Sequence, residues 1–195
     1  MAFTVSLAIM QLCRAVPSIK VLICAPSNAA ADNVVVRLAD DMSPAALVRA
    51  MAFSRRVKDT PATVLPFTRP NEDGGFVPVS ATDVGAVSVV VSTIASAAKL
   101  FNAGVLARPL LTRTTKVVLA GNPQQLGPVI KSSYASKWGL DASLMARLMT
   151  RLLYLVKHAA YKTNSCAITD PMVIFSRCRT LSFTRTSSRR TRRDS

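Results

Sequence analysis

The sequence predicts an α/β fold built on a parallel sheet, and three observations carry that expectation. Apolar, β-branched runs at 20–25 (KVLICA), 87–91 (VSVVV) and 116–120 (KVVLA) each break at a polar turn. Helical patterns follow the first two turns, and the runs read as strands buried on both faces. Strand, loop and helix recur in the order that specifies α/β layering. Three strands are few for such a sheet, so either another chain completes it or the fold is imperfect.

The elements follow from local pattern. Phe3, Leu7, Met10 and Cys13 share a helical face with Val5, Ile9 and Leu12 beside them, and Pro17-Ser18 ends that helix. Pro26 stops the first strand. Ser27 or Asn28 then caps a helix that runs to Leu38, with Asp32 in its first turns, where the helix dipole favours an acid. Residues 43–52 read as a short helix. Residues 54–85, with prolines, Gly74-Gly75 and mixed charge, have the composition of an insertion or loop. After the strand at 87–91, residues 93–106 read as helix, 108–115 as a basic connector and 116–120 as the third strand. Residues 143–157 form an amphipathic helix with Arg147 and Arg151 one turn apart. The expected organisation is one α/β domain over 1–157 and an irregular tail over 158–195. Its last stretch, 176–195, is Ser/Thr/Arg low complexity and is expected to be disordered.

A chain of 195 residues, half of them hydrophobic, has enough mass for a real core. Its 25 Lys plus Arg against 10 Asp plus Glu give a net charge of +15. Such an excess favours polyanionic partners: RNA, DNA or an anionic membrane. Seven of the arginines lie within 177–193, so part of that excess belongs to the tail. Cys13, Cys24, Cys166 and Cys178 form no Cys-x-x-Cys pair, which argues against a zinc site or a disulfide framework and for a reducing compartment. The apolar start lacks the basic region and cleavage site of a signal peptide. No run approaches about eighteen apolar residues, so neither a spanning helix nor a membrane partner is expected.

Three turns carry the candidate chemistry. Pro26-Ser27-Asn28 stands where a strand meets a helix amino terminus, whose free N–H groups and small polar side chains suit a phosphate. Ser92-Thr93 repeats that design. Either could equally be an ordinary capped turn, but two at one sheet edge make a track for a sugar-phosphate backbone. The third, in AGNPQQLGPVI at 120–130, is the most specific. Gln125 offers an amide donor and acceptor suited to sensing a phosphate or a polarised water. Gly121 allows close backbone approach, and Pro123 and Pro128 stiffen the loop.

Together these segments resemble the first RecA-like domain of superfamily 1 RNA helicases, in the Upf-like branch of fly Armitage and the plant silencing-defective helicases. VLICAPSNAAAD is similar to that group's motif Ia, VSTIASA to its motif Ib region and VVLAGNPQQLGPVIKS to its motif III. YASKWGLDASLMARLM resembles the helix that follows. The likeness covers roughly residues 3–149, with gaps. It implies a partial RecA-like P-loop NTPase domain, with ATP and Mg²⁺ as the cofactors of the intact family. It also implies single-stranded RNA as partner, its backbone held at Pro26, Ser27, Asn28, Ser92 and Thr93. Gly121 and Gln125 would face ATP. Gln125 and Asn122 would couple the γ-phosphate to strand movement, with Asn122 where the family has Asp. The branch further implies a cytoplasmic location, in ribonucleoprotein granules, and silencing or RNA-decay proteins as partners.

Departures from the family pattern bear on activity. No Gly-Lys-Thr/Ser occurs in the chain, and its single glutamate, Glu72, lies in the proline-rich stretch. Aligning residues 4–12 with the family's helix after Walker A puts Met1 at the lysine and Ala2 at the Mg²⁺-binding hydroxyl. Only the connector at 108–115 fills the interval where the family has an Asp-Glu strand. Asp40-Asp41 follow a helix and are a poor substitute. The expectation is therefore a truncated helicase that does not hydrolyse ATP by itself, the alternative being a non-enzymatic basic fragment that binds RNA or another partner.

Overall fold

A computed structural model describes residues 2–52, 54–106, 115–121 and 130–151. Helix α1 spans Ala2–Ala15, strand β1 Val21–Ala25, helix α2 Asn28–Leu38 and strand β2 Leu47–Arg49. Short 3₁₀ turns follow at Val57–Asp59 and Leu65–Phe67. Then come α3 (Ala81–Ala86), β3 (Val89–Thr93), α4 (Ile94–Asn102), α5 (Ser133–Lys137) and α6 (Leu144–Met149). The strands make a parallel sheet in the order β1-β3-β2, which establishes the expected α/β class.

Alternation along the strands sorts two cores. Val21, Ile23, Leu47, Val89 and Val91 face one side with Ala31, Val34, Val35 and Leu38 of α2, and Ile9 of α1 joins that cluster. Leu22, Val48 and Val90 face the other side with Val84 of α3 and Ala97 and Leu100 of α4. All five β3 residues are buried, as a strand covered by helices on both faces requires. Lys20 ties the layers together at the amino edge, its Nζ donating to the carbonyls of Gly85 and Val87 at 2.6 Å each.

The boundaries at β1, α2 and α4 agree with the sequence reading to within a few residues. Gly104, at φ +74°, follows the end of α4, a backbone conformation that suits glycine. Of the insertion or loop expected over 54–85, the part through residue 80 is irregular apart from its two 3₁₀ turns, yet Val64 and Phe67 enter the first core and Val79 the second.

Three expectations are corrected. Residues 43–52 are not a helix: after a turn at 44–46 they contribute β2, with Leu47 and Val48 pointing into opposite cores. Pairing with β3 decides the conformation there, and ten residues are too few for helical periodicity to speak against it. Residues 116–120 are not a strand. They run unpaired with Val117 and Val118 more than three-quarters exposed, because β propensity measures fit to a sheet that must be present to exert it. Residues 81–85, expected to belong to the insertion or loop over 54–85, instead open α3, which the Ser80 capping box starts; Asp32, in the early turns of α2, is buried, 4% exposed. The amphipathic helix expected over 143–157 is described only at Leu144–Met149; its remainder, the connector at 108–114 and the tail lie outside the described residues.

Helix α3 begins with a capping box in which Ser80 and Asp83 each accept the other's backbone N–H. Asp83 also pairs with Arg69. Burial pushes the Asp83 carboxyl upward, but the Ser80 hydrogen bonds and the Arg69 charge outweigh it and hold the pKa below the usual carboxylate value. A depressed folded-state pKa gives stability that is fully present above the unfolded value, about 3.9, and is lost as pH falls through the folded one. Asp83→Asn is thus expected to lose less stability than the native chain between pH 7 and pH 3, compared by denaturant midpoints. The two cores give a second contrast. Leu38→Ala, at a site with no exposure, is expected to cost about 2–5 kcal/mol. Val118→Ala should stay within about 0.5 kcal/mol, and urea unfolding of the two variants separates the cases.

Candidate nucleic-acid interface

The register of the sheet brings two of the predicted turns together. Cys24 pairs with Ser92 and Ala25 with Thr93, so β1 and β3 end side by side at the carboxyl edge. Each passes directly into a helix. Ser27 caps α2, its hydroxyl oxygen accepting the Ala30 N–H at 3.2 Å. Thr93 caps α4 in the same way through the Ser96 N–H at 3.2 Å, and its own hydroxyl donates to Ser96 Oγ at 3.0 Å. Two helix amino termini, each leaving first-turn N–H groups without intrahelical partners, thus stand on neighbouring strands of a sheet whose strand spacing is about 4.8 Å.

The five residues expected to hold a backbone are not equivalent. Pro26 and Ser27 are exposed and Asn28 half-buried, so these three form a surface. Thr93 is 9% exposed and its hydroxyl hydrogen is already used by Ser96. Ser92 is fully buried, and its Oγ has no hydrogen-bond partner among the described residues. Asn122 and Gln125 lie outside the described residues. Gly121 is described and exposed; a Cβ there would come within 3.2 Å of Met145 Cε of α6.

Behind the α2 turn lies a charge cluster that the sequence reading missed. Arg49, at the carboxyl end of β2, is 1% exposed, and its Nε donates to Asp32 Oδ1 at 3.1 Å. Its other nitrogens reach the Ala50 carbonyl at 2.6 Å and Asn28 Oδ1 at 3.0 Å. Arg55 completes the group, its Nη2 donating to Asp32 Oδ2 at 2.6 Å and to the Asp59 carbonyl at 2.9 Å. Arg55 Nη1 is buried without a partner among the described residues. Desolvation pushes the Arg49 pKa down, the Asp32 hydrogen bond and charge push it back up, and the Arg55 charge adds to the downward push. Two guanidinium groups on one carboxylate leave a net positive charge under the turn. A signal existed in the sequence: Asp32 falls on the apolar face defined by Ala31, Val35 and Leu38, and a buried acid demands a cation.

Little else at this edge is reactive. Burial raises the pKa of both Cys13 and Cys24, so neither is poised as a thiolate. Asp41 pairs with Arg14 on the surface at 2.9 Å. Among the described residues no group of three or more His, Cys, Asp or Glu is placed to hold a metal, and Asp32 is committed to its arginines. The described donor set therefore does not fit Mg²⁺. A cavity of about 310 Å³ lined by Pro44, Leu47, Phe67, Arg69 and Asp83 lies at the opposite, amino end of β2. Among the described residues no helix is long and apolar enough to cross a membrane.

A parallel α/β sheet with capped turns aligned at its carboxyl edge defines a domain of the doubly wound class, which binds ligands at that edge. Over most of its length the chain is similar to proteins named as helicases, two of them as RNA helicases. RNA helicase Mov10l1 of Mus musculus is 31% identical over 196 residues, covering 88% of this chain and 16% of its own length. RNA helicase Mov10l1 of Homo sapiens is 30% identical, covering 88% of this chain and 15% of its own length. The MOV-10 protein of Gallus gallus is 32% identical over 174 residues, covering 73% of this chain and 18% of its own length. The chain thus spans about a sixth of the length of these curated relatives, and they support the superfamily 1 RNA helicase resemblance of the sequence. No family model and no solved structure matches the chain.

Asp32 gives this site its test of stability. Asp32→Ala leaves two buried guanidinium groups without their carboxylate and is expected to cost about 3–5 kcal/mol. Arg14→Ala removes a pair whose arginine side chain is 72% exposed, which is worth about 0–1 kcal/mol. Guanidinium unfolding of both variants, at one pH, measures the contrast.

Proposed function

We propose that this chain is part of the first RecA-like domain of an RNA helicase of the Armitage and silencing-defective branch, and that it grips single-stranded RNA without hydrolysing ATP by itself. One observation carries the reading. The turns of the motif Ia-like and motif Ib-like segments, distant in sequence, end adjacent paired strands at one edge. There the N–H groups of the first turns of α2 and α4, the Ser27 hydroxyl and the Asn28 amide can meet successive phosphates. The buried net charge of Arg49, Arg55 and Asp32 adds attraction from behind.

The ATP part of the proposal rests on the residues present. A lysine at the β- and γ-phosphates, a hydroxyl on Mg²⁺ and an acidic pair supply most of the electrostatic stabilisation of phosphoryl transfer. None of the 195 residues stands in a Gly-Lys-Thr/Ser sequence, and the chain's glutamate is confined to Glu72. Gly121, with Asn122 and Gln125 after it, would then retain the coupling loop without the fuel site it serves. The cytoplasmic location, and association with silencing or RNA-decay proteins in granules, follow from the same branch resemblance.

A second reading, a non-enzymatic RNA-binding fragment, is favoured by the seven arginines within 177–193. Both readings meet one experiment. Binding of a labelled single-stranded oligonucleotide, followed by fluorescence anisotropy across a salt series, is expected to weaken steeply with salt. Removing residues 176–195 should lower the affinity and the salt slope yet leave binding that Ser27→Ala with Asn28→Ala reduces about tenfold. If all affinity leaves with the tail, the turns do not grip RNA. Mg²⁺-dependent ATP turnover by the full chain, with or without RNA, would contradict the ATP part.

A further inference from the structure

We infer that Arg49 is a positioning residue for RNA: it fixes the Asn28 side chain so that the amide nitrogen, and not the carbonyl oxygen, faces the phosphate. The inference rests on the RNA-gripping role proposed for the α2 turn and names what makes that turn work.

The geometry leaves one orientation. A guanidinium group carries only donors, so whichever amide atom of Asn28 faces Arg49 Nη2 at 3.0 Å must be the oxygen. The Nδ2 group then points the other way and makes no hydrogen bond among the described residues. Asn28 opens α2 directly after the Ser27 cap, beside backbone N–H groups that the helix leaves unpaired. With the oxygen held inward, the Asn28 amide hydrogens join the first-turn N–H groups that Ser27 does not cap, and together they are available to one anion. With the amide reversed, a carbonyl oxygen would face that anion and repel it.

Arg49 is suited to this task because it cannot itself turn. Its side chain has no exposure, and its three nitrogens are fixed at once by Asp32, Ala50 and Asn28. Asp32 is held in turn by Arg55 at 2.6 Å. The order Arg55, Asp32, Arg49, Asn28 therefore runs from the loop after β2, through helix α2 and strand β2, to the surface turn. Only the last member would touch RNA. A lysine at 49 would keep the charge beside Asp32 but has no planar fork to span Asp32 and Asn28 together.

A double-mutant cycle on the full 195-residue chain, read by anisotropy with a labelled single-stranded oligonucleotide, tests the inference. Asn28→Asp keeps an oxygen for Arg49 and removes the outward donor. It is expected to leave the thermal transition in place while lowering RNA affinity at least about tenfold. Arg49→Lys is expected to lower affinity several-fold in the native background and less than twofold in the Asn28→Ala background, because its effect passes through Asn28. A purely structural arginine would lower affinity equally in both backgrounds, and that result overturns the inference. Should Arg49→Lys fail to fold, Asn28→Asp decides alone: affinity equal to the native chain overturns the inference. If Ser27→Ala and Asn28→Ala both leave affinity untouched, the RNA reading of the turn itself has failed. If Asn28→Ala weakens binding and the cycle is additive, only the role of Arg49 has failed.

Discussion

The position of every candidate RNA contact depends on β3. This strand is hydrogen-bonded on both edges, to β1 over five residue pairs and to β2 over three, and helices cover both of its faces. A strand so enclosed can vary neither its register nor its twist without breaking two ladders. Because Ala25 is locked opposite Thr93, the turns after β1 and β3 must emerge together. A slip by one residue would turn Val89 and Val91 out of the first core and move the Thr93 cap away from Ser27.

Charge is distributed between surface and interior in an unusual way for so basic a chain. Most buried ion pairs are neutral as a unit, because desolvation penalises any uncompensated charge. Here a single carboxylate holds two guanidinium groups, and Asn28 and the carbonyls of Ala50 and Asp59 supply the remaining acceptors. Four neutral or ionised acceptors on three segments thus disperse the second positive charge. This links α2 to β2 and to the loop after it, across sheet positions that share no backbone hydrogen bond. The grip on the α2 turn is therefore set by side chains, whereas its height above the sheet is set by the β1–β3 ladder.

The strands and helices nearest the turns were legible because their signals are local. Pro26, the capping Ser27 and Thr93, and the β-branched run at 89–91 each act within a few residues. What escaped was non-local. Leu47 and Val48 are adjacent apolar residues that enter opposite cores, but three residues carry no readable period, and only the partner β3 makes them a strand. The Asp32–Arg49–Arg55 cluster was half visible: an acid on an apolar helix face announces a hidden cation, but nothing in the sequence says which of many arginines supplies it. Part of the candidate site, Asn122 and Gln125, lies outside the described residues.

The exposed run at 116–120 has a topological explanation that propensity cannot give. Helix α2 lies on the first face and carries the chain from β1 across to β2; α3 lies on the second face and brings it back from β2 to β3. Crossovers of one hand require this alternation, with opposite faces for opposite directions of travel. Helix α4 packs on the second face, like α3, so the chain leaving β3 travels in the direction away from β2. The slot a following parallel strand would take is the edge of β1, which no strand occupies among the described residues. Lys116, Val117, Val118 and Leu119 have the composition to fill it, but they stand exposed instead. Among the described residues, the backbone edge of β1 and the side chains of this run are complementary in what each leaves unsatisfied, the first in ladder hydrogen bonds and the second in burial. Among the described residues the sheet therefore lacks a neighbour on the side toward which its own winding points, and the strand on that edge, β1, is one of the two whose turns lie together at the carboxyl edge.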